Sequence, residues 1–497
     1  MRLENRHCQR AVARRRSGPA AFPYGVALAL VFALPLVTDE VPNAWSAPVT
    51  MQIRADAEQN LIYHLDCLAR IIGCSRDNFA ELWQALPKRD KDDVWLERWK
   101  NSRITPNTRS AKAKPGDSTS HPFDAPLHDV EQPVAQLSAK DYETLAYFQP
   151  RFDAWWKVEP GNHLKRMRLS LEHLAVIVEL PDLLSGLARF HAVPNAAVRP
   201  VEVFLLSAPG VRKSPTHAEI RGDRAFVETR IGESGTVRMG VVAHEAAHYY
   251  YSLAPLRQRT RTREWFLTSE RSWAIAAYHL FNEALAAAFG NGLVEARLLA
   301  DSDFTRYVAL PESFYADAYV DAAAKATQPL LDDYLRHGRA LDRAFVDRYI
   351  EALGIALTPK MADIGFWLRS LSFTSTSSKL DPLKNIIGQY IVTGALFQET
   401  INGRCVEPCL LQRYPELSGI IVTLNDDVSA LSEFLPDEVV RTVSRDAFLH
   451  QNSVFGFQRS PRSLLFVVSG RTVEDVSEGL QRLLIHGRIF EGVLPHS

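Results

Sequence analysis

The stretch Val241-Val242-Ala243-His244-Glu245-Ala246-Ala247-His248-Tyr249-Tyr250 contains the pattern His-Glu-x-x-His. On a helix, residues four apart share a face, so His244 and His248 can aim two imidazoles at one metal ion. Glu245 follows His244 directly and projects beside that pair, where a carboxylate can polarise a metal-bound water. Hydrolysis at zinc needs two nitrogen ligands, a third ligand, an open fourth position and a base. This stretch supplies the two nitrogens and the base, and the third ligand must come from elsewhere. Glu245 is the only acidic or basic residue between Val241 and Tyr250 besides the histidines. An ordinary core helix has no reason to bury a carboxylate between two histidines, because an unpaired buried charge is costly.

A second chemical signal lies at Asn282-Glu283, inside a helical run that begins near Ser272. Glu283 sits among alanines and leucine, and a carboxylate there wants a cation. Gly290 and Gly292 read as the stops of this helix. The pairing of His-Glu-x-x-His with a later Asn-Glu on a second helix resembles the gluzincin metallopeptidases, which include thermolysin and the zinc aminopeptidases. The resemblance covers these two helices only. It implies His244, His248 and Glu283 as zinc ligands, Glu245 as general base and acid, and a peptide or protein as substrate. Members of that group often stabilise the oxyanion with a Tyr or His on a helix after the ligands. Phe314–Gln328 reads as such a helix, stopped by Pro329, and it makes Tyr315 and Tyr319 the candidates.

The chain also departs from the group. The offset from His248 to Glu283 is 35 residues, longer than in the best-known members, and the excess falls in the Arg- and Thr-rich stretch 253–270, which reads as an inserted surface loop. Where thermolysin-like enzymes place an Asp one turn after the Glu ligand, to orient the first His, this chain has Ala287. Some other group must hold His244, since metal-bound histidines normally donate their second N–H to a fixed acceptor. The Gly-x-Met-x-Asn motif of the aminopeptidases is absent, so aminopeptidase activity is not assigned. Rival third ligands are His279, one turn before Glu283 and on its face, and Glu264 and Glu270 in the charged stretch. Second-shell contact or packing is the plainer role for His279, and solvent exposure for the two glutamates.

Several elements must position these groups. Val201–Ser207 reads as a strand. Thr216–Ile220 and Ala225–Thr229 flank Arg221-Gly222-Asp223-Arg224 as a hairpin. A strand pair shortly before the His-Glu-x-x-His helix is where gluzincins place a small sheet whose edge binds extended peptide through its backbone, and 216–229 is the candidate for that edge. The Arg-Gly-Asp triplet is read as a turn. Upstream, 47–160 reads as a helical region with an exposed loop over 102–126, rich in Pro, Ser, Thr, Lys and Gly. Downstream, 340–410 looks helical with a polar gap at Ser372–Lys379. Gly419–Leu424, a helix from Val428, Leu464–Ser469 and Val473–Ile485 then alternate as a small α/β lobe. The expected fold class is α+β, with a mainly helical zincin-like catalytic domain over 161–345, a small antiparallel sheet, and a helical then α/β region over 346–497.

Six arginines in residues 1–17, an apolar run of 13 residues at Gly25–Val37, and small residues at Ala44 and Ser46 have the anatomy of a secretory signal peptide over 1–46. That run is short for a bilayer span, and no later stretch offers 18 continuous apolar residues, so the expected mature protein is secreted or periplasmic with no integral membrane segment. Cleavage removes six arginines, Glu4, Asp39 and Glu40, which takes the formal charge from −1 to −4 and argues against a nucleic-acid partner. Of the five cysteines, Cys8 leaves with the signal. An even number in an exported chain suggests disulfides, most simply Cys67–Cys74 and Cys405–Cys409. The functional expectation is a zinc-dependent metallopeptidase. Its rivals are a binding or structural protein on an inactive scaffold of the same kind, and a zinc hydrolase acting on a non-peptide bond.

Overall fold

A computed structural model of the chain describes residues 51–71, 74–75, 88–103, 137–158, 160–208, 216–393, 395–401, 410–433 and 435–495. The expected signal peptide, almost all of the 102–126 loop and the Cys405–Cys409 pair lie outside these residues. In chain order the principal elements begin with β1 (Met51–Arg54), α1 (Ala57–Leu68), α2 (Asp92–Arg103), α3 (Ala139–Val158), α4 (Pro160–Ile177) and α5 (Leu180–Phe190). There follow β2 (Val201–Ser207), β3 (Ala218–Arg221), β4 (Arg224–Thr229), α6 (Gly235–Ser252), α7 (Leu256–Leu267), α8 (Ala274–Ala287), α9 (Asp301–Ala309), α10 (Ala318–Arg336) and α11 (Arg343–Leu357). The chain continues with β5 (Ser370–Ser375), β6 (Ala395–Thr400), β7 (Ser418–Leu424), α12 (Asp437–Leu449), β8 (Asn452–Ser460), β9 (Ser463–Gly470), α13 (Val473–His486) and β10 (Gly492–Val493). The fold is α+β.

The first sheet has the order β1-β2-β4-β3. The expected hairpin forms, turned at Gly222 with φ 60°, a left-handed position that suits glycine. The sheet is mixed rather than antiparallel: β1, β2 and β4 run parallel, and only the edge strand β3 is antiparallel to its neighbour. One face carries Val203, Leu205, Ala225 and Val227 into the main core with α4, α5, α6 and α8. The other face presents Phe204, Leu206 and Phe226 to Tyr63 and Cys67 of α1. Cys67 is bonded to Cys74, as the local pairing predicted. Around α1, a satellite core of Leu65, Trp99, Phe148 and Phe152 joins the N-terminal helices. A buried Arg151–Asp92 pair with oxygens at 2.6 and 2.7 Å ties α3 to α2.

The second sheet has six strands in the order β10-β8-β9-β7-β5-β6, with β6, β5, β7 and β9 parallel. Separate apolar clusters cover its two faces. The strands at Ser418–Leu424 and Ser463–Gly470 and the helix at Val473–His486 form where expected, whereas the helix expected from Val428 begins only at Asp437, after a 3-10 stretch to Glu433, and strand β8 between it and β9 was not anticipated; α13 carries a full capping box, Thr472 with Asp475. The polar stretch near Ser372 is not a gap between helices. Ser370, Ser372 and Thr374 belong to the buried strand β5, where a polar alternation hides the period-two signal that apolar residues normally give.

Three further expectations change. The stretch 253–270 is the helix α7 rather than a loop, with buried Thr262 and Phe266 setting its inward face; Phe266 contacts Tyr278, Phe281 and Tyr349. The helix expected at Phe314–Gln328 starts later and runs through Pro329 as α10. Asp317 caps it, accepting from the N–H groups of Tyr319 and Val320 at 2.9 and 3.0 Å. Burial of Val320, Ala323, Leu330, Leu331 and Tyr334 outweighs the proline's cost of about 3 kcal/mol. Finally, Gly290 and Gly292 do not stop α8. The helix passes through a π-helical stretch, Ala288–Val294, into a last α turn at Glu295–Leu298.

Candidate metal centre

α6 enters the core from β4 through a fixed start: Glu233 accepts from the Arg238 Nε and Nη2 at 2.7 and 2.6 Å. From Met239 to Tyr250 nearly every side chain is buried, with Val241 only half so. His244, Glu245 and His248 are 6 %, 6 % and 2 % exposed. The helix must therefore satisfy its polar groups inside the protein or on a ligand. α8 crosses it closely. A Cβ on Gly290 would collide with the Gly240 carbonyl oxygen and stand 2.7 Å from the His244 backbone nitrogen. Glycine is required there because two helix backbones meet at the first histidine.

The three expected ligands converge. His244 Nε2 and His248 Nε2 are 3.0 Å apart. Glu283 Oε2 is 3.6 Å from His244 Nε2, and Oε1 is 3.5 Å from His248 Nε2. Donors bound tetrahedrally to zinc at 2.0–2.1 Å stand about 3.3 Å from one another, so the observed separations fit one ion held by these atoms. Among the described residues this is the one group of three or more His, Cys, Asp or Glu with such proximity. Two imidazoles and one carboxylate form a donor set that could hold a metal ion.

The two histidines are supported differently. His248 Nδ1 donates to Asn282 Oδ1 at 3.3 Å, which sets the tautomer that frees Nε2 for a metal. Asn282 was visible in the sequence only as the neighbour of Glu283; its role needs both helices in place. His244 Nδ1 is buried with no hydrogen-bond partner among the described residues. Its ring is instead covered by Tyr315, with centroids 5.7 Å apart and planes 23° from parallel.

Tyr315 lies in the segment before α10, with its hydroxyl close enough to the Glu283 carboxylate to feel its charge. Burial first, then the negative charges of Glu283 and Glu245, hold that hydroxyl protonated far above the usual tyrosine range. It is therefore a donor beside the three ligands at any physiological pH. Tyr319 faces elsewhere: its hydroxyl donates to Asp363 at 3.3 Å, and its ring packs on Phe366. The rivals for third ligand also point away. His279 Nδ1 pairs with the Ser370 hydroxyl at 2.7 Å, and burial, aided by the charge of Arg369, lowers its pKa to about 3. Glu264 and Glu270 are exposed.

β3 and β4 pack against α6, the helix that carries the two histidines, and among the described residues β3 is an edge strand of its sheet. Glu228 of β4, fully buried, fixes the entry to that edge: it accepts from the His217 N–H at 2.9 Å, the Tyr63 hydroxyl at 3.0 Å and the Ser75 N–H at 3.1 Å. Comparison with known proteins adds nothing to this geometry: no family model, no curated protein and no solved structure matches the chain.

Proposed function

We infer that this chain is an exported zinc-dependent peptidase of the gluzincin type. The observation that carries the reading is the convergence of His244 Nε2, His248 Nε2 and the Glu283 carboxylate within 3.0–3.6 Å, with Glu245 the next residue after His244. Zinc held by these three side chains would supply an acidified water and a Lewis acid for the scissile carbonyl. Glu245 would accept the proton of the attacking water and pass it to the leaving amine. Tyr315, protonated and adjacent, is the better placed of the two tyrosines to donate to the oxyanion. The free edge of β3 offers an extended peptide its backbone N–H and C=O groups, which favours a peptide over other hydrolysable substrates. Among the described residues no helix is long and apolar enough to cross a membrane.

The test is metal content and turnover measured side by side on the mature chain. The wild type should hold one zinc and cleave members of a peptide library. Glu245→Gln should keep the zinc and lose turnover by at least about a hundredfold, the usual scale for a general base. His248→Ala should lose the metal. A Glu245→Gln protein with full activity would remove Glu245 from the mechanism. A wild type that binds zinc tightly but hydrolyses nothing would favour a closed structural site on a binding protein.

A further inference from the structure

Arg369 immediately precedes strand β5 of the six-stranded sheet and Ser370 opens it, and these two consecutive residues reach the two arms of the candidate metal centre. Ser370 bonds His279 of α8, one turn before Glu283, at 2.7 Å. Arg369 Nη1 donates to Asp317 Oδ2 at 2.8 Å and to the Val392 carbonyl at 2.7 Å. The pair is buried, with side chains 7 % and 11 % exposed.

Asp317 follows Tyr315 by two residues, and the segment carrying Tyr315 has no helix or strand to hold it. Its backbone is fixed by side chains. Asp321 accepts from the Phe314 N–H at 2.9 Å and the Glu312 N–H at 3.2 Å. Asn291, from the π-helical stretch after α8, donates to the Phe314 carbonyl, and the Tyr307 hydroxyl donates to that of Ser313. At the far end, Asp317 uses Oδ1 to cap α10, which leaves Oδ2 for Arg369 alone among the described residues. Tyr315 in turn covers the His244 ring, whose Nδ1 has no hydrogen-bond partner among the described residues.

We propose that Arg369 is a positioning residue for the metal centre: by anchoring Asp317 it holds Tyr315 against His244 and Glu283, so the six-stranded lobe sets the ligand geometry of a site to which it contributes no ligand. This rests on the zinc reading above. An arginine fits the task because the two N–H bonds of its Nη1, fixed in the guanidinium plane, reach a carboxylate and a backbone carbonyl at once, which an ammonium on a flexible stem does less rigidly.

The experiment uses the full mature chain and the metals themselves. Zinc affinity is measured by competition with a chromophoric chelator, and cobalt is substituted so that its visible spectrum reports ligand geometry. Thermal midpoints of the metal-stripped proteins control for folding. Arg369→Met and Tyr315→Phe should each weaken zinc binding roughly tenfold or more, the scale of groups that orient ligands. Both should alter the cobalt spectrum. The double variant should be less than additive, because the two residues act through one contact. Arg369→Lys should restore part of the affinity, and it decides the matter if the Met variant does not fold. Wild-type affinity and an unchanged cobalt spectrum in Arg369→Lys and in any folded Arg369→Met protein would overturn the positioning role while leaving the zinc reading intact. A wild type that binds neither metal would overturn both.

Discussion

His244 and His248 bring the same side chain to the same site but are held by different means, and this difference is measurable. Asn282 accepts from His248 Nδ1, so Asn282→Ala should free that ring and leave its N–H buried without a partner. The expected cost is roughly tenfold in zinc affinity, read by chelator competition; Asn282→Asp, which keeps an acceptor, should lose much less. Equal losses in both variants would show that the hydrogen bond is not what orients His248. The spacing of His244 and His248 and the isolation of Glu245 were legible in the sequence because a helix converts them directly into a shared face. The partner of His248 was not, because Asn282 lies 34 residues further along the chain and meets it only once the two helices are folded together. The choice between Tyr315 and Tyr319 was not legible either. It depends on α10 starting at Ala318, after Tyr315, so that the two tyrosines are not on one helical face.

At the level of elements, the crossing of α6 and the π-helical stretch is the contact that sets the site. Gly240 and Gly290 face each other there, and either Cβ would strike atoms of the opposite helix. Gly290→Ala should destabilise the protein by about 2–3 kcal/mol, the usual cost of overpacking a core that cannot shift, and it should weaken zinc binding because the strain falls on the His244 backbone. Gly388→Ala, where nothing lies within 4 Å, should change stability by no more than about 0.5 kcal/mol. Urea midpoints of the two variants make the comparison; similar values would deny the crossing its role. Glycine near the end of an apolar helical run is ordinarily a stop, and the same residue type also marks close helix contact. The sequence carries no signal that separates the two until the opposite helix is known. Pro329 misled for a related reason, since packing of α10 overrides a local breaker, and Phe266 turned an Arg-rich stretch into a packed helix.

For the whole molecule, the class of the fold and the α/β character of the C-terminal lobe followed from the pattern of elements, whereas the strand order of neither sheet did. Pairings such as β5 with β6 and β7, or β1 with β2, join residues far apart in the chain, and no local pattern encodes them. Long-range burial has a consequence in acid. His64 of α1, His191 just after α5 and His279 of α8 are each pushed down to about 3, chiefly by burial. A donated hydrogen bond to the Ser207 carbonyl offsets the shift at His64 in part. Unfolded histidine titrates near 6.5. Between about 6.5 and 3 the unfolded chain therefore binds protons that the folded chain refuses, and stability falls as the pH drops. The slope is about 1.4 kcal/mol per pH unit for each histidine. Glu295, raised to about 7 by burial, binds its proton in the folded state first and so opposes one histidine between about 7 and 4.5. Between about pH 6.5 and 4.5 three histidines against Glu295 leave stability falling as the pH drops, and below 4.5 Glu295 no longer opposes them. Urea unfolding of the metal-stripped protein at pH 7.5, 6 and 5 should show this decline. His191 sits edge-on to Phe190 and Tyr251, a site that an aromatic ring of similar size can fill, so His191→Phe should make the decline shallower by about one histidine's share. An unchanged slope in that variant would mean that His191 is not held neutral by its surroundings.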